Sequence, residues 1–415
     1  MLVVEGRIFF NGKLQQGAIG IEDGKIAEVK KVLKGDRNID LGDRIILPGA
    51  IDPHVHFRDP GMTHKEDFSS GSLSALYGGV TCIFDMPNTR PPVIDTRSLE
   101  EKKRIVKGRS FTDYGLFAAL TPKCDTGALA QKVCGFKMFM GSTTGDILMN
   151  DDLEIQKMMA SAWATGKTIS VHAEDDSYIG GAEERNNRDH LRNRPVRAEH
   201  SAINRLSRYK GMKINICHIT DAGSAMLASS FGFTTEVTMH HLFLADSISD
   251  NAEFKVNPPL RDSRTRDGLF KAFLEQKITM FGTDHAPHTT DEKHRTYNDA
   301  PSGIPGVETY VPIMMDMVKK GRMDIGQLVK MASAAPAEVF GINKGEIEKG
   351  RDADLAVFDM RNSRKIKAKD LHSKCGYTAY EGWDAIFPDT VFIRGEMQLK
   401  GGELCGEPIG ADIYE

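Results

Sequence analysis

Residues Asp52–Gly61 read DPHVHFRDPG and follow directly on the apolar run RIILPGAI. In an extended strand, positions i and i+2 project to the same side, so His54 and His56 face one point and can offer two nitrogens to one metal. Arg58 stands two residues further along the same face. A strand that closes on ligands fits a barrel whose active site gathers at the carboxyl ends of its strands.

Working outward, short β-prone runs alternate with helix-length polar segments, the βαβ signature. Eight such runs can be counted: IDPHVHF, VTCIFDM, TDYGLFAAL, CGFKMFM, TISVHAE, KINICHI, TTEVTMH and KITMFGTDH. They predict an α/β fold, a (β/α)8 TIM-type barrel over residues 49–342. An open doubly wound sheet fits less well, because no GxGxxG follows the first run. Residues 1–48 and 343–415 carry Gly-punctuated β runs without helical period, which predicts one small β subdomain assembled from both termini.

The composition narrows the function classes. The 415 residues carry a formal charge of −4 and are 40% apolar, enough to fill a large core. Lys and Arg are interspersed with acids, so no nucleic-acid partner is expected. The densest basic stretch, Arg192–Lys210, contains Glu199 and reads as a loop running into a solvated helix. No run approaches the roughly 18 apolar residues of a membrane span, and no basic, then apolar, leader opens the chain, so a cytoplasmic protein without membrane contact is expected. Six cysteines without CxxC pairing suit reduced thiols.

The polar residues at the strand ends form a set: His54, His56, Asn88, Lys137, His172, His218 and Asp284. A single histidine after a strand is usually a hydrogen-bonded structural residue. Four histidines and an aspartate converging on one end of a barrel point instead to a metal, and such N and O ligands suit zinc. Lys137 lies inside the apolar run CGFKMFMG, where lysine is rare unless paired. Burial disfavours a charged amine, and a neutral amine reacts with CO2 to give a carbamate whose two oxygens can bridge two cations. Cys217 and Glu236 sit beside this set and suggest an additional metal site, although strand alternation turns Cys217 away from His218. His240 and His241 read as structural. The long polar segment from His288 to Gly303 reads as a lid, with no role for His294.

In chain order, DPHVHFRDPG, MPNTRPP, GFKMFMG, VHAE, ICHIT, KVNPPLR, GTDHAPHT and GIPGVET resemble the amidohydrolase superfamily and, within it, the dihydroorotase family. The resemblance covers essentially the whole chain. It implies two Zn2+ ions per chain, His54 and His56 on the more buried ion and His172 and His218 on the other. A carbamate on Lys137 would bridge them, and Asp284 would be both ligand and proton shuttle. It assigns Arg58, Asn88 and His288 to the substrate carboxylate, and Asn257 with the backbone at Pro305 and Gly306 to the ring amides. The reaction implied is the reversible cyclisation of N-carbamoyl-L-aspartate to L-dihydroorotate in pyrimidine biosynthesis, with a homodimer and an aspartate carbamoyltransferase partner among the assemblies it allows. A hydantoinase or allantoinase would share the metals without needing Arg58, whose bland alternative is a surface pair with Asp59. A noncatalytic scaffold would be expected to have lost ligands, and none of the six is missing.

Overall fold

The computed structural model describes residues 1–142 and 147–415. Four N-terminal strands, β1 (Leu2–Phe10), β2 (Lys13–Glu22), β3 (Lys25–Lys30) and β4 (Arg37–Pro48), lead into eight barrel strands. These are β5 (Ala50–Val55), β6 (Val80–Asp85), β7 (Asp113–Ala119), β8 (Gly135–Phe139), β9 (Thr168–His172), β10 (Ile214–Ile216), β11 (Thr234–Val237) and β12 (Met280–Phe281). Each falls within one of the eight runs read from the sequence, except that β5 starts one residue earlier, at Ala50. Every neighbouring pair from β5 to β12 is parallel. The ring closes where Val55 bridges His285 in parallel and His56 N donates to His285 O at 2.8 Å. Buried Asp52 reinforces that seam by accepting from the backbone N–H of both His54 and Thr283, at 3.1 Å each.

The remaining strands are β13 (Leu355–Phe358), the two-residue pair β14 (Arg364–Lys365) and β15 (Asp384–Ala385), then β16 (Thr390–Ile393), β17 (Glu396–Lys400) and β18 (Glu403–Leu404). Apart from β14 and β15, they join β1–β4 in one sheet of order β18-β17-β16-β13-β4-β1-β2-β3. The β subdomain is thus built from both ends of the chain, as expected. Its centre is β4, parallel to β1 on one side and antiparallel to β13 on the other. Only Gly49 separates β4 from the barrel, and a Cβ there would run into the Thr81 side chain. Lys344 ties the sheet to the barrel, its Nζ 2.7 Å from Asp113, 2.6 Å from Asp354 and 3.0 Å from Asp352.

Alternation along the barrel strands sends Ile83 and Leu116 outward to the helices, while Phe84 and Phe117 point inward and pack edge-on against Phe340 at centroid distances of 4.8 and 5.8 Å. This aromatic plug fills the end of the barrel opposite the ligands. The basic stretch is more internal than its charge suggested. It runs from the end of the helix Asn187–Asn193 through the helix Val196–Leu206, with Arg194 and Glu199 buried. All six cysteines are unpaired thiols. Among the described residues, no helix is long and apolar enough to cross a membrane.

Candidate metal centre and substrate pocket

The strands deliver the ligand candidates to one place. His54 lies near the end of β5, His172 ends β9 and Lys137 is central in β8; His56, His218 and Asp284 lie just beyond β5, β10 and β12. All six are buried. Asp284 Oδ1 lies 3.0 Å from His56 Nε2 and 3.4 Å from His54 Nε2. His172 Nδ1 is 3.1 Å from His218 Nε2, and the His54 and His218 rings are 5.3 Å apart. Arg58, His218 and Asp284 have positive φ, at 61°, 37° and 48°, a conformation that costs energy in non-glycine residues and clusters at functional sites.

Hydrogen bonds leave the imidazoles with lone pairs facing inward. His56 Nδ1 donates to Asn88 Oδ1 at 2.7 Å, and His172 Nε2 donates to Glu174 Oε2 at 3.0 Å, which fixes the tautomers as outer partners of metal ligands do. Glu174 is itself clamped by Arg194 at 2.7 Å. Burial holds His56 down to about 3 and His218 well below its ordinary value, so both stay neutral. Burial alone would raise Asp284, but His54, His56 and His218 keep it ionised. At His54, burial and Lys137 are outweighed by Glu236, Cys217 and Asp284, which push it up to about 10; this corner selects positive charge, the sign a divalent cation supplies.

The residues fit a metal. His54, His56 and Asp284 bring ligand atoms within 4.8 Å of one another, and so do His54, Cys217 and Glu236. Buried His218 Nδ1 has no hydrogen-bond partner. Lys137, fully buried, places Nζ 2.8 Å from Cys217 Sγ. Cys217 therefore points inward together with His218, against the alternation expected of a strand. The reason is that β10 stops at Ile216 and the left-handed turn at His218 brings consecutive side chains to one side.

The substrate-contact candidates are tied in by polar contacts, Asn88 to His56, Arg58 to His288, His288 and Asn257 to Ser302, and Gly306 to His285. Arg58, 3% exposed, donates from Nε to Pro287 O at 3.2 Å, and its Nη2 lies 3.2 Å from His288 Nε2. Its sequence neighbour Asp59 pairs with Arg109 instead. Asn257 Oδ1 accepts from His190 Nε2 at 2.9 Å and from Ser302 Oγ at 3.1 Å, which orients the amide. Both backbone groups of Gly306, which follows Pro305, are engaged: its N–H with His285 Nδ1 at 3.1 Å, its carbonyl with Thr309 N and Tyr310 N. His240 and His241 lie buried beside each other, His241 bonding Thr238 and Pro258 O, and His240 is near enough to Asp284 and His54 to feel their charge. Exposed His294 contacts Glu253.

Four partners of these residues escaped the sequence reading: Glu174, Arg194, His190 and Lys65. Glu174 had a signal, since it lies two residues past His172. The other three act across the chain and had none.

The amidohydrolase family profile matches residues 45–397. The chain belongs to the amidohydrolase family. Its amidohydrolase relatives include the dihydroorotase of Pyrococcus furiosus, 37% identical over all of this chain and 96% of that one, and the dihydroorotase of Thermoplasma acidophilum, 37% identical over 98% and 97%. Among solved structures, the L-hydantoinase of Arthrobacter aurescens is similar with a TM-score of 0.90 at 27% identity, covering 98% of this chain and 97% of that one. The D-hydantoinase of a Thermus species gives 0.91 at 26%, covering 100% and 99%. As a member of this family with these relatives, the chain is an enzyme, a hydrolase of a cyclic amide.

Proposed function

We propose that this amidohydrolase is a dihydroorotase, interconverting N-carbamoyl-L-aspartate and L-dihydroorotate with water, in the cytoplasmic synthesis of pyrimidines. The observation that carries the reading is Arg58. Its buried guanidinium contacts a backbone carbonyl and an imidazole, and forms no ion pair among the described residues. A buried cation without a counter-ion is costly, and a carboxylate gripped by the planar fork offsets that cost. Dihydroorotate brings such a carboxylate and neutral hydantoins do not.

In this reading His54, His56, His172, His218, Asp284 and carboxylated Lys137 would hold two Zn2+ ions. When bound, the ions supply Lewis acidity, polarising the ring amide carbonyl and acidifying a water. The protein's own part is positional and acid–base. Asn88 and Glu174 orient His56 and His172. Arg58, Asn88 and His288 hold the carboxylate, while Asn257 and the backbone at Pro305 and Gly306 border the ring. Asp284 accepts the proton of the attacking water and returns it to the departing ring nitrogen, and cyclisation runs these transfers backwards. His54, Cys217 and Glu236 offer a further cation position with the N, S and O donors zinc accepts.

The test is hydrolysis of dihydroorotate beside dihydrouracil and allantoin, with metal content measured on the same sample. Turnover of dihydroorotate alone, with about two ions per chain, supports the reading. The similarity to solved hydantoinases favours the second reading, a cyclic amidase for uncharged rings, and turnover of those rings alone would establish it. Metal without any turnover would point to the scaffold role beside a carbamoyltransferase.

A further inference from the structure

We infer that Lys65 is a positioning residue that fixes the tautomer of His288, so that Nε2–H is a donor toward the substrate carboxylate. The inference rests on the reading of Arg58 and His288 as carboxylate contacts and goes beyond it, to the residue that decides how one of them bonds.

Lys65 is buried, and its Nζ lies 3.0 Å from His288 Nδ1 and 3.0 Å from Glu292 Oε1. An ammonium has three donors and no acceptor, so the nitrogen facing it must carry the lone pair. On the other side of the ring, Nε2 lies 3.0 Å from Ser302 O, which can only accept. Both contacts are satisfied by one tautomer, with the proton on Nε2. The opposite tautomer would set N–H against ammonium and lone pair against carbonyl. Arg58 Nη2, 3.2 Å from Nε2, is the one contact this tautomer leaves unmatched, because guanidinium hydrogens are fixed in the plane of the fork; the contacts with Lys65 and Ser302 together outweigh it. The groups facing the ring are Arg58, Lys65, Lys293 and Glu292; burial first, then Arg58 and the lysines, hold His288 to about 3 against the pull of Glu292, and the ring stays neutral.

Glu292 shows what Lys65 prevents. Its Oε2 lies 3.7 Å from His288 Nδ1, close enough to become the acceptor of an Nδ1–H once the ammonium is gone. That exchange would turn a lone pair on Nε2 toward the carboxylate and change attraction into repulsion.

The experiment is nitrogen-15 NMR of the histidine-labelled metal-loaded enzyme, with the His288 signals assigned by His288→Ala, and steady-state kinetics on dihydroorotate. The wild type is expected to show His288 protonated on Nε2. Lys65→Met should move the proton to Nδ1 and raise KM about tenfold or more, with kcat within about twofold and metal content unchanged. Lys65→Arg, also a pure donor, should restore the Nε2–H tautomer. A wild-type ring protonated on Nδ1 overturns the inference without any variant, as does a Lys65→Met enzyme that keeps both tautomer and KM. If His288→Ala leaves KM for dihydroorotate unchanged, the underlying reading of His288 fails, and the spectra still decide the role of Lys65.

Discussion

Lys137 has no exposed surface and no carboxylate partner among the described residues; its nearest polar neighbour is a thiol. A lysine in that position needs a chemical reason, and a carbamate supplies one by converting a cation into a ligand. Lys137→Ala is expected to lose bound metal and turnover together, with partial recovery in small carboxylic acids; metal analysis and rescue kinetics check this, and full activity would rule the carbamate out. Arg58→Ala is expected to cut kcat/KM for dihydroorotate by about a hundredfold with metal content unchanged, and Arg58→Lys to recover little of it, because a lysine lacks the planar fork. Loss of metal as well would refute the separation of ligand and substrate contacts. Ligand candidates of this kind were legible because each closes an apolar run or, like Lys137, interrupts one. Lys65 was not, since it meets His288 across 223 residues of chain and only the closed barrel brings them together.

The segment from His288 to Gly303 is fastened at its middle. The helix Thr290–Lys293 opens on a capping box formed by Thr289 and Glu292. Lys293, fully buried, donates to Lys255 O at 3.2 Å and to Pro301 O and Gly303 O at 3.0 Å each. Polarity and length suggested a lid, but composition does not reveal that one of its lysines turns inward. Burial, with help from Lys255 and Arg58 and against Glu253, lowers Lys293 to about 7. In the unfolded chain a lysine keeps its proton to about 10.4, so between these limits the unfolded state binds more protons and stability rises with pH. The rise is at most about 1.4 kcal/mol per pH unit, and the cost is complete below pH 7. Urea unfolding at pH 7 and pH 9.5 should show a larger gain for the wild type than for Lys293→Met; equal gains would refute it. Strand alternation misled in the same way at Cys217, because the rule holds only while the backbone stays extended.

The whole molecule is built on two eight-stranded sheets joined through Gly49, and its architecture was readable because strand and helix periods differ and the runs are regular. The sequence did not reveal what joins the parts, such as Lys344 between Asp113, Asp352 and Asp354 or Phe340 against Phe84 and Phe117. Phe340→Ala is expected to destabilise the fold by about 3–5 kcal/mol while leaving metal content and kcat unchanged, because the plug lies at the end of the barrel remote from the ligands; denaturation and activity measured together check it. The placement of β4 between β1 and β13 has a consequence for biosynthesis. Strands β1–β4 leave the ribosome well before the rest of their sheet, for the second partner of β4 begins at Leu355. At roughly 5–20 residues per second, the newborn hairpins wait about a quarter of a minute to a minute with one flank of β4 unpaired, an open template for a neighbouring nascent chain. The interval between the synthesis of Pro48 and of Leu355 is therefore when this protein most needs a chaperone.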